Sequence, residues 1–97
     1  MKHKNLLFER GHTSEGLIVW GGVYAFFETH GLPLGDILFE LWAKGGIPDW
    51  GLLVKDMVAA GRPFARSIET ISSAIGDACY PNQFRDEILS RLQKLTE

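Results

Sequence analysis

Apolar positions recur at helical spacing along most of this chain. Within residues 32–46, Leu34, Ile37, Leu38, Leu41 and Trp42 fall at i, i+3, i+4, i+7 and i+8, one stripe of a helix. Asp36 lies early in that helix, and Glu40 and Lys44 form an i, i+4 pair in the favourable order before Gly45 and Gly46 end it. Residues 47–61 repeat the pattern with Trp50, Leu53, Val54, Met57 and Val58; Pro48 and Asp49 open this second helix and Gly61 closes it. A helix over residues 63–80 carries Phe64, Ile68, Ile71, Ile75 and Ala78 or Cys79 on one side, with Arg66, Glu69, Thr70, Ser73 and Asp77 on the other, and Pro81 stops it. The last segment aligns Phe84, Ile88, Leu92 and Leu95, with Lys94 near its C-terminus, where the helix dipole favours a cation.

One run breaks the regularity. The twelve residues between Glu15 and Glu28 carry no charge. Leu17 to Trp20, then Gly21 and Gly22, then Val23 to Phe27 can be read as a hairpin turning on the glycine pair. The flanks favour a helix instead. Thr13 and Ser14 are N-cap residues, Glu15 suits a first turn, His30 a last turn, Gly31 the C′ position, and Pro33 follows. The expectation is a helix over residues 14–30, apolar on all sides and therefore central. Gly21 and Gly22, each costing roughly 1 kcal/mol against alanine inside a helix, are then explained by the close approach of a neighbouring backbone. As a helix the uncharged run covers only ~18 Å, far short of the roughly 20 apolar residues a membrane span needs.

The fold class read from these patterns is all-α, a compact orthogonal array of about five short helices joined by Gly/Pro turns around an apolar first helix. Residues 1–12 form an N-terminal arm, and residues 13–97 one helical domain. The chain has 97 residues, room for one core and no second domain. Apolar residues make up 45% and aromatics 11%, more than so small an interior absorbs, so the surplus is expected at an interface. Net charge is −2 and both signs are scattered, so no basic face able to neutralise several phosphates is advertised. Leu6, Leu7 and Phe8 are too short a run for a signal peptide, and Glu9 and Arg10 follow at once. Cys79 stands alone, which excludes an internal disulfide and a thiolate zinc site. It reads as a buried structural cysteine, and the composition suits the cytoplasm, with no membrane partner.

Candidate chemistry is sparse. His3, His12 and His30 do not group by spacing, and a metal would need Glu9 or Glu28 to converge on them. Asp86 and Glu87 are neighbours on a helix and do not face each other as an acid/base pair must. Phosphate-loop, dinucleotide and nucleophile-elbow patterns are missing. The expectation is no enzyme, no metal and no cofactor. Helix, glycine, Arg62, Pro63, helix is compatible with a helix-turn-helix in which Arg62 and Arg66 flank the second helix's start and could hold a phosphate. Glu69 on the same face and the acidic balance count against it.

Phe39, Leu52 and Trp20 fall off the main stripes, and tryptophan and arginine dominate interface hot spots. The leading expectation is therefore a non-enzymatic protein–protein interaction module of adaptor, assembly-chaperone or inhibitor type. It would bind another protein or a second copy of itself through Phe39, Trp42 and Trp50, with Arg62 and Arg66 giving orientation. A nucleic-acid-binding helix-turn-helix protein is the alternative. Small helical chains of this look occur among bacterial and phage accessory proteins, with no motif behind the likeness.

Overall fold

A computed structural model of the protein describes residues 6–95; what was expected of the basic start and of His3 lies outside those residues. Among the described residues the chain is predominantly helical but not all-α. It forms five helices and a small three-stranded sheet, in the order β1 (Phe8–His12), β2 (Ile18–Gly21), α1 (Val23–His30), α2 (Leu34–Ala43), β3 (Gly46–Pro48), α3 (Trp50–Ala59), α4 (Phe64–Asp77) and α5 (Asn82–Gln93).

The expected helix over residues 14–30 does not form as one element. Its first half is sheet: β2 pairs antiparallel with β1, Phe8 opposite Gly21 and His12 opposite Ile18, with a bulge between Glu9 and Gly11. Thr13 and Ser14 begin a turn rather than a helix. The Leu17 backbone N–H donates to Thr13 Oγ1 at 3.1 Å, and the Thr13 backbone N–H donates to the Leu17 carbonyl at 2.9 Å. A threonine hydroxyl serves either purpose, so local sequence leaves the choice open. Ile18, Val19 and Trp20, β-branched and aromatic, suit the strand, and a distant segment completes it. β3 lies parallel to β2, Ile18 against Gly46 and Trp20 against Pro48, with α1 and α2 as the crossover between them.

The glycine pair is neither a hairpin turn nor a helix interior. Gly21 ends β2, and Gly22, at φ 82°, turns the chain into α1. The Leu6 carbonyl lies where a Cβ on Gly22 would sit, and the Phe8 ring lies over Gly21. Close approach does account for these glycines, at a strand–helix junction.

The first helix is not the centre either. α4 packs against α2, α3 and α5, whereas α1 packs chiefly against α3. Gly35 lets α2 come close to α4, since a Cβ there would stand 2.8 Å from Asp77 Cβ. The predicted stripes fill the core. Leu38, Leu53, Met57, Ile71, Ile75 and Leu92 are fully buried. Two positions depart from them. Val58 remains exposed at the edge of α3. Cys79 is exposed, not buried, because α4 ends at Asp77 and the chain passes through φ 63° at Cys79, which swings the thiol off the stripe. Among the described residues no helix is long and apolar enough to cross a membrane.

Candidate interaction surface

α2 turns Leu34, Ile37, Leu38 and Leu41 inward, and its 100° step per residue leaves Asp36, Phe39, Glu40 and Ala43 facing out. Phe39 is 46% exposed, and Leu32, in the turn before α2, is 45% exposed. Together they edge a groove of about 490 Å³. Leu7, Phe26, Ile37 and Leu41 form its apolar lining, and Asp36, Glu40 and Lys44 its charged rim. Phe26 projects from α1, where its ring sits 4.2 Å from that of His30. Such an apolar concavity with a charged border is the form a protein-binding patch takes.

The tryptophans do not share this groove. Trp42, Trp50, Tyr80 and Phe84 form an aromatic cluster between α2, the start of α3 and the start of α5. Trp42 is 4.7 Å from Phe84 and edge-on to Tyr80 at 5.2 Å, with Tyr80 to Phe84 at 5.4 Å and Trp50 to Tyr80 at 6.5 Å. Trp50 is 8% exposed and Tyr80 5%, so both are core residues, and Trp42 is half-buried beside them. The Trp50 indole N–H and the Tyr80 hydroxyl are buried with no hydrogen-bond partner among the described residues, and burial pushes the Tyr80 phenol well above its ordinary pKa.

The arginines also part company. Arg62 is half-buried and its guanidinium donates to Thr70 Oγ1 at 3.3 Å. It also faces Tyr24 of α1. There the Glu28 carboxylate and burial raise the tyrosine pKa, while Arg62 pulls it the other way. Arg66, in the first turn of α4, is exposed, as is Glu69 on the same helix. The turn joining α3 to α4 runs through Gly61 at φ 101° and Pro63, whose carbonyl accepts from the buried Ser67 hydroxyl at 3.0 Å.

Of the five residues singled out from sequence, Phe39 alone lines the α1–α2 groove. Sequence reasoning missed Leu32, Phe26 and Leu7. For Leu32 a signal existed, because a large apolar residue between Gly31 and Pro33 sits in a turn that does not need it.

A second groove, about 680 Å³, runs along α3 between Leu52, Val58, Phe64 and Leu95, with Arg10, Asp49 and Lys55 at its border. Its rim is internally engaged, Arg10 Nε lying 2.8 Å from Asp49 Oδ2. Asp56 on α3 has its pKa raised by burial, with Arg10 opposing and Asp49 adding to the rise. Among the described residues no three His, Cys, Asp or Glu side chains converge to hold a metal ion. No family model, curated protein or solved structure matches the chain.

Proposed function

We propose that the protein is a non-enzymatic protein-binding module of adaptor, assembly-chaperone or inhibitor type, acting through the α1–α2 groove. One observation carries the reading. Phe39 and Leu32 are large apolar side chains left nearly half exposed on the same edge of one apolar groove. Burying such side chains stabilises a complex by about 25 cal/mol per Å² of apolar surface removed from water. Asp36, Glu40 and Lys44 around the groove give the partner its register. Trp42 and Trp50 support the fold beneath rather than touch the partner, and Arg62 ties α4 to α1. The exposed thiol of Cys79 fits a reducing compartment such as the cytoplasm.

The nucleic-acid alternative has less support. Arg62 is already engaged by Thr70, and Arg66 shares the exposed side of α4 with Glu69.

A photo-crosslinking amino acid at position 39, compared with one at Ser73 on α4, tests the proposal in nuclease-treated native lysate. The expected result is a protein adduct from position 39 that Leu32→Asp abolishes and that position 73 does not give. Adducts in equal yield from both positions, or from neither, would overturn it.

A further inference from the structure

We infer that the cleft between the β1–β2 turn and α5 binds a free α-amino acid with a large apolar side chain. This cleft shares no lining residue with the α1–α2 groove, so the inference goes beyond the protein-binding reading.

Two adjoining cavities form the cleft, of about 290 and 310 Å³, and Thr13, Ile47, Trp50 and Arg91 line both. Each is at the small end of ligand pockets, which run from about 300 to 1,000 Å³, so the molecule that fits is a small metabolite. The halves differ in chemistry. Ser14, Glu15 and Glu87 belong to the first alone, beside Leu17, Phe84 and Ile88. Val19, Pro48, Leu92 and Leu95 line the second alone. The second also borders on Asp49, whose carboxylate is already taken up by Arg10 and the Leu52 amide. A molecule that fills both halves has a charged head and an apolar tail.

The charges of the first half are uncommitted. Glu87 and Arg91 stand one turn apart on α5 in the order that favours an ion pair, yet no salt bridge joins them. Among the described residues the salt bridges are Arg10–Asp49 and Arg85–Asp86, and Glu15 takes part in neither. Trp50 adds a donor. It is 8% exposed, it lines both halves, and its indole N–H has no acceptor among the described residues. A buried donor left unmatched beside a cavity is what a ligand's acceptor completes. The signs then assign the head groups. A carboxylate answers Arg91 and the Trp50 N–H, where the two halves meet, and an ammonium answers Glu15 and Glu87. The α-carbon of an amino acid carries both of these groups and a side chain, which runs on into the second half.

Titration of the purified ¹⁵N-labelled full chain with L-leucine and L-phenylalanine, followed through the Trp50 indole signal, tests this. That signal is identified by its contact with the Tyr80 ring. The expected result is a saturable downfield shift in the micromolar-to-millimolar range. L-leucinamide lacks the carboxylate and N-acetyl-L-leucine the ammonium, so each should bind about tenfold or more weakly. Arg91→Gln should lose about tenfold or more in leucine affinity and leave that for leucinamide unchanged. Glu87→Gln should weaken leucine and leave N-acetyl-leucine unchanged. Both residues are exposed, so both variants are expected to retain the wild-type circular dichroism spectrum. Phe39→Asp should leave the titration unaltered, which separates this test from that of the α1–α2 groove. A Trp50 signal that does not move at millimolar leucine, equal binding of leucine and its two derivatives, or an Arg91→Gln variant that binds like the wild type would each overturn the inference.

Discussion

The Arg10 guanidinium lies 2.8 Å from the Asp49 carboxylate and so ties the exposed strand β1 to the first turn of α3. Asp49 does two things at once. Its other oxygen, Oδ1, accepts the Leu52 backbone N–H at 3.1 Å and caps the helix. Asp49→Ala is expected to lower stability by about 1–2 kcal/mol, most of it the lost cap. Asp49→Asn keeps a capping oxygen, and Arg10→Ala removes only a partly exposed ion pair, so each should cost less than about 1 kcal/mol. Urea titration of the three variants checks the order.

Gly22 is the junction on which β2 gives way to α1. At φ 82° any Cβ is strained, and here it would also meet the Leu6 carbonyl. Gly22→Ala is expected to destabilise the protein by roughly 2 kcal/mol or more, the left-handed conformation alone accounting for about 1–2. Gly16 has a positive φ as well, with open space where a Cβ would go. Gly16→Ala therefore measures the conformational cost without the clash, and thermal melts of the pair separate the two contributions.

Cys79 occupies a left-handed position at the end of α4, where glycine is the usual residue. Cys79→Gly should stabilise the fold by about 0.5–1 kcal/mol. That is the relief of roughly 1–2 kcal/mol of strain, less about 0.4–1 kcal/mol from the looser unfolded chain. A raised midpoint in urea with an unchanged slope is the expected reading.

Asp56 gives the fold a pH dependence of definite sign. Its carboxyl binds a proton more tightly folded than unfolded, chiefly because burial disfavours the charged form. The stability this contributes is fully present below the unfolded pKa and falls as pH rises through the folded one. Asp56→Asn should therefore gain stability relative to the wild type between about pH 3 and pH 7. A difference that is flat across that interval would contradict the assignment.

Much of this architecture was readable from periodicity. The stripes of α2, α3, α4 and α5 end up buried nearly as spaced, since each helix meets the core with one face and local spacing records that face. β2 was not legible, because its partner β3 is three residues long and lies across two helices in sequence. No local signal announces a parallel pairing of that kind, and Thr13 and Ser14 suit a turn as well as a cap. The candidate site divides the same way. Phe39 stood out by falling off its stripe, and it does face solvent. Trp42 and Trp50 stand out by residue type alone, and a core of this size uses such large rings itself. The rest of the groove comes from Leu7, Phe26 and Leu32, brought together by the turn into α2 and by the strand–helix junction, neither of which periodicity encodes.

The most direct measurement is amide NMR of the ¹⁵N-labelled protein, alone and in nuclease-treated native lysate. The account predicts shifts or broadening in lysate that centre on residues 32–44 and on the neighbourhoods of Leu7 and Phe26, all absent in Phe39→Asp. Spectra that do not change in lysate, or changes centred on Arg62 and Arg66 instead, would contradict it.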